Sequence, residues 1–394
     1  MVAAPVLNHE EGLMDERLDW MRAEYQHIFK AEPEVWASAP GRVDLMGSHT
    51  DYNHGFVLTM SIAYDTVISA RPRLDGRVHV ASANTLNASE FSLAEISRDE
   101  STPWSNYLRG VAEVLQDAGY PLRGFDGLIH STVPMASGLS SSAALEVAAA
   151  RLFAKISAWD PSLVEPVRLA VLCQRAENDF VGMNCGILDQ YTASVCPTGQ
   201  ALLLDCRHLS HRLVNIHPGV SIVICDTRAK RELTGSEYPE RRAACERAAA
   251  RFSQWYPGVT HLRDVSQDQF AAHAKDLAPL DARRARFILE ENQRVLDLAQ
   301  ALTDGDIGMI RSLTERSFAG ARDLYEIVSP EMDKMMAAML AAPGVIAARQ
   351  AGAGFGGCMV AFVQAGREAA FGLQVKQAYL RTAGSEPGIY LANR

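Results

Sequence analysis

Residues 134–144 read Pro-Met-Ala-Ser-Gly-Leu-Ser-Ser-Ser-Ala-Ala. Pro134 and Gly138 loosen the backbone, three serines follow, and the Ala-rich run from Ser142 to Ile156 reads as a helix. The first N–H groups of a helix have no partner within it, and the helix dipole is positive at that end. A Gly/Ser loop entering such an end suits an anion, and a serine hydroxyl can turn to Mg²⁺. A plain serine N-cap accounts for one serine, not three after Gly-Leu. Gly138, Leu139, Ser140, Ser141, Ser142 and Ala143 are therefore expected to hold phosphate. The loop is not a Walker A, since no G-x-x-x-x-G-K-[ST] occurs, and the H-R-D and D-F-G of protein kinases are also missing.

Two further segments carry polar chemistry. Gly352-Ala-Gly-Phe-Gly-Gly matches G-x-G-x-x-G. An apolar, strand-like run from Cys358 follows it, so no helix end would face a pyrophosphate and the dinucleotide reading fails. It is either a tight turn or a backbone that approaches something closely. Ala39-Pro-Gly-Arg-Val-Asp-Leu-Met-Gly-Ser-His-Thr-Asp-Tyr-Asn reads as a polar loop between apolar strands. Its Arg42, Asp44, His49 and Asp51 are either turn formers or the acceptors and donors of a sugar-hydroxyl network.

Outward from these segments, strands and helices mix without strict alternation, which predicts an α+β fold. Strands are expected at 56–62, 66–70, 77–81, 128–133, 201–205, 220–225, 359–363 and 389–391. Helices are expected at 13–29, 104–118, 142–156, 167–180, 237–256, 283–303, 307–325 and 330–340. The polar stretch 206–217 is the expected junction between two domains, 1–211 and 212–394.

Composition sets outer limits. The 394 residues are 48% hydrophobic and 22% charged, which is globular. Lys and Arg number 38 against 47 Asp and Glu, a net charge of -9, unlike a nucleic-acid or anionic-membrane binder. Seven cysteines without a C-x-x-C predict buried free thiols rather than zinc, and His208 and His211 read as exposed loop residues. No signal peptide or spanning helix is visible, so the expected location is the cytoplasm.

The three segments together resemble the galactokinase branch of the GHMP small-molecule kinase family. The first resembles its phosphate loop and Ala351-Gly-Ala-Gly-Phe-Gly-Gly its third motif. The 39–53 segment resembles the signature G-R-x-N-L-I-G-E-H-x-D-Y-N. Trp104-Ser-Asn-Tyr-Leu-Arg-Gly-Val, Cys185-Gly-Ile-Leu-Asp-Gln-Tyr, Gly235-Ser-Glu-Tyr-Pro-Glu-Arg-Arg and Ser329-Pro-Glu-Met-Asp have counterparts in the same order. The resemblance implies a two-lobed α+β architecture, mixed sheets flanked by helices in both domains, with the active site in the cleft between them. It implies ATP and Mg²⁺, and phosphorylation of the anomeric hydroxyl of a galactose-like sugar. A monomer or weak dimer is the expected assembly, with no nucleic-acid or membrane partner.

Roles follow from the resemblance position by position. Asp189 matches the catalytic aspartate and Arg42 the arginine facing it. Ser142 and Glu177 match the Mg²⁺ ligands, and Trp104 the base pocket. Ser48, His49, Asp51, Gly186 and Tyr238 match sugar contacts. Asp189 either takes the hydroxyl proton or only orients the hydroxyl beside Arg42.

Two positions depart from the pattern: Asp44 replaces Asn, and Ser48 replaces a Glu that resembles a partner for the sugar's C6 hydroxyl. Galacturonate or L-arabinose therefore stand as alternatives to galactose. Losing a charged partner to a hydroxyl costs about 1.5–3 kcal/mol. A non-catalytic sugar and ATP sensor is the alternative from another class.

Overall fold

The computed structural model describes residues 11–135, 137–229 and 237–392. The chain opens with α1 (Glu11–Phe29), whose Met21 and Tyr25 are fully buried against Val67 and Leu128. Then come β1 (Val35–Met46), β2 (Phe56–Arg73), β3 (Arg77–Ser82) and β4 (Asn87–Ser92). They are followed by α2 (Ser105–Asp117), β5 (Gly124–Ser131), α3 (Ser141–Ile156) and α4 (Pro166–Arg175), and α4 runs into one π-turn at Ala176–Val181. After α5 (Leu188–Val195), β6 (Ala201–Asp205) and β7 (Ser210–Val214) complete a seven-stranded sheet ordered β4-β3-β5-β2-β6-β7, with β1 also on β2.

The length of β2 explains this sheet. One edge pairs with β1 from Leu58 to Ala70, while the other takes β6 at Phe56–Met60 and β5 at Thr66–Arg73. The second sheet, β11-β8-β10-β9, is antiparallel throughout, with β8 at Val220–Asp226, β9 at Val345–Gln350, β10 at Cys358–Gln364 and β11 at Gly388–Leu391. Its helices are α6 (Glu237–Trp255), α7 (Gln267–His273), α8 (Pro279–Asp304), α9 (Ile307–Asp323), α10 (Pro330–Leu340) and α11 (Glu368–Ala383).

Local sequence accounts for the helix limits. Pro279 and Pro330 occupy first-turn positions, Ser329 accepts from the Met332 N–H, and Gly305 ends α8 with φ 70°. Leu108, Val111 and Leu115 form the inward face of α2, and burying each contributes about 1.5–3 kcal/mol. The two sheets share one core, in which Val43 and Leu45 of β1 pack with Ile222 and Ile224 of β8, Val360 of β10 and Leu298 of α8. No helix among the described residues is long and apolar enough to cross a membrane. All seven cysteines are free, and all but Cys185 are buried.

Several expectations are corrected. The 39–53 segment is not a loop from its start: β1 runs through Pro40 and Gly41, with a register shift between Pro40 and Arg42 where proline lacks an N–H. The two strands expected at 56–62 and 66–70 are one. The 206–217 stretch is not a linker, because β7 lies inside it and pairs with β6; a boundary at 211 falls within that strand. The helix expected at 167–180 changes to π geometry at Ala176. The expectations for Gly235 and Ser236 lie outside the described residues.

Candidate active site

β1 and β2 deliver the first group of side chains. Alternation along β1 sends Val43 and Leu45 into the core and Arg42 and Asp44 to the other face. Arg42 Nε donates to Asp189 Oδ1 at 2.7 Å and Nη2 lies 2.6 Å from the same oxygen, while Nη1 donates to the Gly138 carbonyl at 2.7 Å. Ser140 Oγ donates to Asp189 Oδ2. Strand β1, the serine loop and the start of α5 therefore meet at one carboxylate, itself 28% exposed.

The serine loop enters α3 as its composition suggests. Ser140 precedes the helix in the left-handed region at φ 57°, unusual for a residue with a Cβ. Its side chain does not cap α3 but goes to Asp189, which leaves the first-turn N–H groups open. Gly352-Ala-Gly-Phe-Gly-Gly joins β9 to β10 and lies against this loop, the Cys358 N–H donating to Ser137 O at 2.9 Å. Gly352 has φ 70°, which admits glycine most easily, and a Cβ there would stand 3.8 Å from Gly138 O and 3.9 Å from Arg42 Nη2. The glycine run is thus a tight turn, and it approaches backbone closely at Gly354, where a Cβ would stand 2.5 Å from the Ile327 carbonyl.

Residues 47–55 form a tight loop with a single 3₁₀ turn at Asp51–Asn53. Thr50 Oγ1 donates to Gly47 O, and Asn292 of α8 accepts from the Phe56 N–H at 2.7 Å. Asp51 lies so close to the turn before α5 that a Cβ on Gly186 would come within 1.7 Å of its Oδ2, so any larger residue there displaces the carboxylate. Burial pushes the Asp51 carboxyl up to about 6, opposed by the Tyr52 N–H and assisted by the charges of Asp189 and Asp44.

His49 is held by protein on both sides. Its Nε2 faces the Ala353 carbonyl at 3.0 Å, so Nε2 carries the hydrogen and Nδ1 accepts from the Tyr52 hydroxyl at 2.8 Å. Burial pushes its pKa down to about 4, which keeps the ring neutral. Tyr238 of α6 packs on it at 5.2 Å between ring centroids, and Tyr325 at 4.9 Å. Ser48 donates to Asp44 rather than standing free.

A second carboxylate group lies beside the serine loop. Glu177 sits in the π-turn, a feature frequent at functional sites. It accepts from Gln190 Nε2 at 2.5 Å, from the Cys185 thiol at 3.2 Å and from the Ser142 hydroxyl. Burial pushes its carboxyl up, and the charge of Asp189 adds to this. Gln190 Nε2 also donates to Glu146 at 2.9 Å.

Trp104 stands apart from these contacts. Its indole N–H donates to Asn87 Oδ1 at 2.8 Å, and its ring packs against the core under α2. A surface groove of about 660 Å³ between α8 and α9, lined by Arg286, Glu290 and Arg316 among others, includes none of the residues above.

The sequence did not single out Glu146, Gln190, Glu291, Tyr325 or Arg349. Two signals pointed to some of them: a lone Glu in the Ala-rich α3, and an Arg in the apolar run before the glycine turn.

Comparison with known proteins follows the same three segments. Residues 23–72 match the galactokinase galactose-binding signature, 106–196 the N-terminal domain of GHMP kinases and 298–380 their C-terminal domain. The galactokinase of a Roseiflexus species is 42% identical over 371 residues, covering 94% of each chain. This chain belongs to the galactokinase family of GHMP kinases. It is a sugar kinase, a phosphotransferase.

Other galactokinases agree. That of Chloroflexus aurantiacus is 42% identical over 90% of each chain. The crystal structure of Lactococcus lactis galactokinase complexed with galactose superposes with a TM-score of 0.88 at 34% identity, covering 95% of this chain and 97% of that one. Mevalonate kinase of Methanococcus jannaschii, at TM-score 0.63 and 15% identity, shares the fold alone. The galacturonate, L-arabinose and sensor alternatives gain no support from these relatives.

Proposed function

We propose that this chain transfers the γ-phosphoryl group of ATP to the C1 hydroxyl of galactose. The observation that carries the reading is the convergence of Arg42 and Ser140 on Asp189, which joins the sugar-signature strand to the phosphate loop.

Phosphoryl transfer goes through a loose transition state and depends on positioning and charge neutralisation. The open N–H groups at the start of α3, with the hydroxyls of Ser140–Ser142, receive the phosphates. Ser142 and Glu177 fit a Mg²⁺ site: they are hydrogen-bonded oxygen donors beside that helix end, and a hard cation that keeps waters needs only one or two protein ligands. When bound, Mg²⁺ neutralises charge on the β and γ phosphates.

Asp189 orients the C1 hydroxyl. Arg42 fixes Oδ1, so Oδ2, now taken by Ser140, is the acceptor for the hydroxyl proton. Asp51 accepts two neighbouring sugar hydroxyls, and Gly186 keeps room for its carboxylate. Tyr238 and the neutral His49 form the apolar wall behind the sugar. Trp104 is assigned to the adenine side, on the resemblance alone.

A coupled ADP-release assay over galactose, galacturonate, L-arabinose and N-acetylgalactosamine tests the assignment. Galactose is expected to be the preferred acceptor. Turnover with none of the four, together with galactose binding by calorimetry, would support a sensor instead.

A further inference from the structure

The loop that carries Asp51 is held at its exit by a side chain outside the site described above. Residues 47–55 are closed on themselves: the Gly55 N–H donates to Thr50 O at 2.8 Å, Asn53 Nδ2 to His49 O at 2.9 Å and the His54 N–H to Asp51 O at 3.0 Å. A loop closed in this way moves as one piece, so whatever holds its exit also holds Asp51. His54 stands at that exit in the left-handed region, φ 58°, a conformation that a residue with a Cβ keeps only where its surroundings hold it.

Arg263 supplies that hold. Its Nη1 donates to the His54 carbonyl at 2.9 Å and to Asp205 Oδ1, its Nη2 donates to Asp205 Oδ2 at 2.8 Å, and its guanidinium lies 4.1 Å from the centroid of the Phe56 ring. Asp205 stands directly opposite Phe56 where β2 pairs with β6. One planar fork therefore bonds the strand partner of Phe56 and the carbonyl two residues before it. At the same exit the Cys206 N–H donates to Gly55 O at 3.0 Å, and Asn292 accepts from the Phe56 N–H.

Arg263 is itself fixed. It belongs to a 3₁₀ turn at Leu262–Asp264, between α6 and α7, and Leu262 is fully buried with Phe252 and Leu289. Asp264 accepts from the N–H groups of Thr260 and His261 and from Arg207 Nη2 at 2.6 Å, while the rings of His54 and His261 lie 3.8 Å apart. Burial alone would raise the Asp205 carboxyl, but the donors Arg263 and His208 and the N–H groups of Arg207 and His208 outweigh it and hold it well below the usual carboxylate range. Arg263 and Asp205 are 14% and 16% exposed, so their pairing is little screened by solvent.

We propose that Arg263 is a positioning residue for the sugar, acting through the His54 carbonyl on the loop that carries Asp51. The inference rests on galactose being the acceptor and on Asp51 touching it. The loop lies within residues 23–72, which match the galactose-binding signature, and Asp51 packs on Gly186 beside the start of α5. Arg263 is outside every segment that matches a family model, 209 positions from the carbonyl it holds.

The test measures kcat and KM for galactose, with ATP affinity by calorimetry, in the wild-type protein and in R263M, R263K and D205N. Failure of the wild-type protein to phosphorylate galactose overturns the functional reading itself. Given turnover, R263M, which keeps the stem over Phe56 and removes the donors, is expected to raise KM for galactose about tenfold or more, the strength of a hydrogen bond from a charged group. R263K keeps the charge without the planar fork, and is expected to raise it about threefold. In both variants kcat and ATP affinity are expected to stay within about twofold, as for a loss confined to sugar binding. D205N weakens the ion pair but leaves Arg263 its bond to His54, so it is expected to lower the thermal unfolding midpoint with KM for galactose within about twofold. An unchanged KM for galactose in R263M or R263K overturns the proposal. So does an equal weakening of galactose and ATP, or a rise in D205N as large as in R263M, since an ion pair that only stabilises the fold produces either.

Discussion

Arg42 and Asp189 are 147 positions apart in sequence, yet two guanidinium nitrogens lie 2.6 and 2.7 Å from one carboxylate oxygen. The pair ties the middle of β1 to the first turn of α5. Because Arg42 also holds the Gly138 carbonyl, the orientation of Asp189 and the position of the phosphate loop are set by one side chain. This geometry makes the site a unit before any substrate arrives, so changes at one member are expected to couple to the others.

Asp189→Asn keeps the shape of the side chain but removes its charge and weakens it as a proton acceptor. It is expected to lower kcat by roughly 10²–10⁴-fold, the usual contribution of a positioned acid or base. ATP affinity, measured by calorimetry, should stay within a few-fold, because the α3 N-terminus is untouched. A variant with wild-type kcat would remove Asp189 from the chemistry.

Gly186→Ala tests the sugar wall by geometry alone. The new Cβ would come within 1.7 Å of Asp51 Oδ2, so the Asp51 carboxylate must be displaced. KM for galactose is expected to rise roughly tenfold or more, with a smaller change in kcat, as for a lost hydrogen bond to a charged group. Steady-state kinetics decide; an unchanged KM would show that Asp51 does not touch the sugar.

How far the sequence anticipates this site depends on how local each signal is. The turn into α3 was legible because Gly138, the three serines and the start of a helix are contiguous and need no tertiary partner. Residues 39–46 misled for an equally local reason: Pro40-Gly41 reads as a break, and nothing nearby shows that β2 holds the strand through it. α5 has only eight residues and little periodicity, so Asp189 was found through its resemblance to a known motif rather than through its own pattern. Arg349 was missed because a charged residue in a six-residue strand argues for exposure, whereas Glu291, from α8, neutralises it in the core.

The Asp51 shift predicts an acid limb in the pH profile. With the carboxyl at about 6, the residue is ionised at neutral pH and becomes protonated as pH falls through that value. Protonation removes an acceptor for the sugar hydroxyls. For the free enzyme, kcat/KM for galactose is therefore expected to fall about tenfold per pH unit below 6. The limb in kcat should lie at lower pH, because bound hydroxyls stabilise the ionised form. Asp51→Asn should flatten the kcat/KM limb at a lower overall value; persistence of the same limb would assign it to another group.

Glu146 offers a test of the carboxylate pair beside the phosphate loop. It is fully buried on α3, its Oε1 and Gln190 Oε1 both lack partners among the described residues, and Gln190 Nε2 lies between it and Glu177. Burial first, then the charge of Glu177, pushes the Glu146 carboxyl well above the ordinary range, which favours its neutral form. Glu146→Gln removes no charge in that case, and its amide can accept from Gln190 Nε2 while offering a donor to Gln190 Oε1. The expected cost in urea unfolding is within about 0.5 kcal/mol. Glu146→Ala leaves a cavity and an amide hydrogen with one acceptor fewer, and is expected to cost about 2–4 kcal/mol. Equal losses in the two variants would mean that the fold needs an anion at position 146, and that Glu146 and Glu177 are both charged around a single amide.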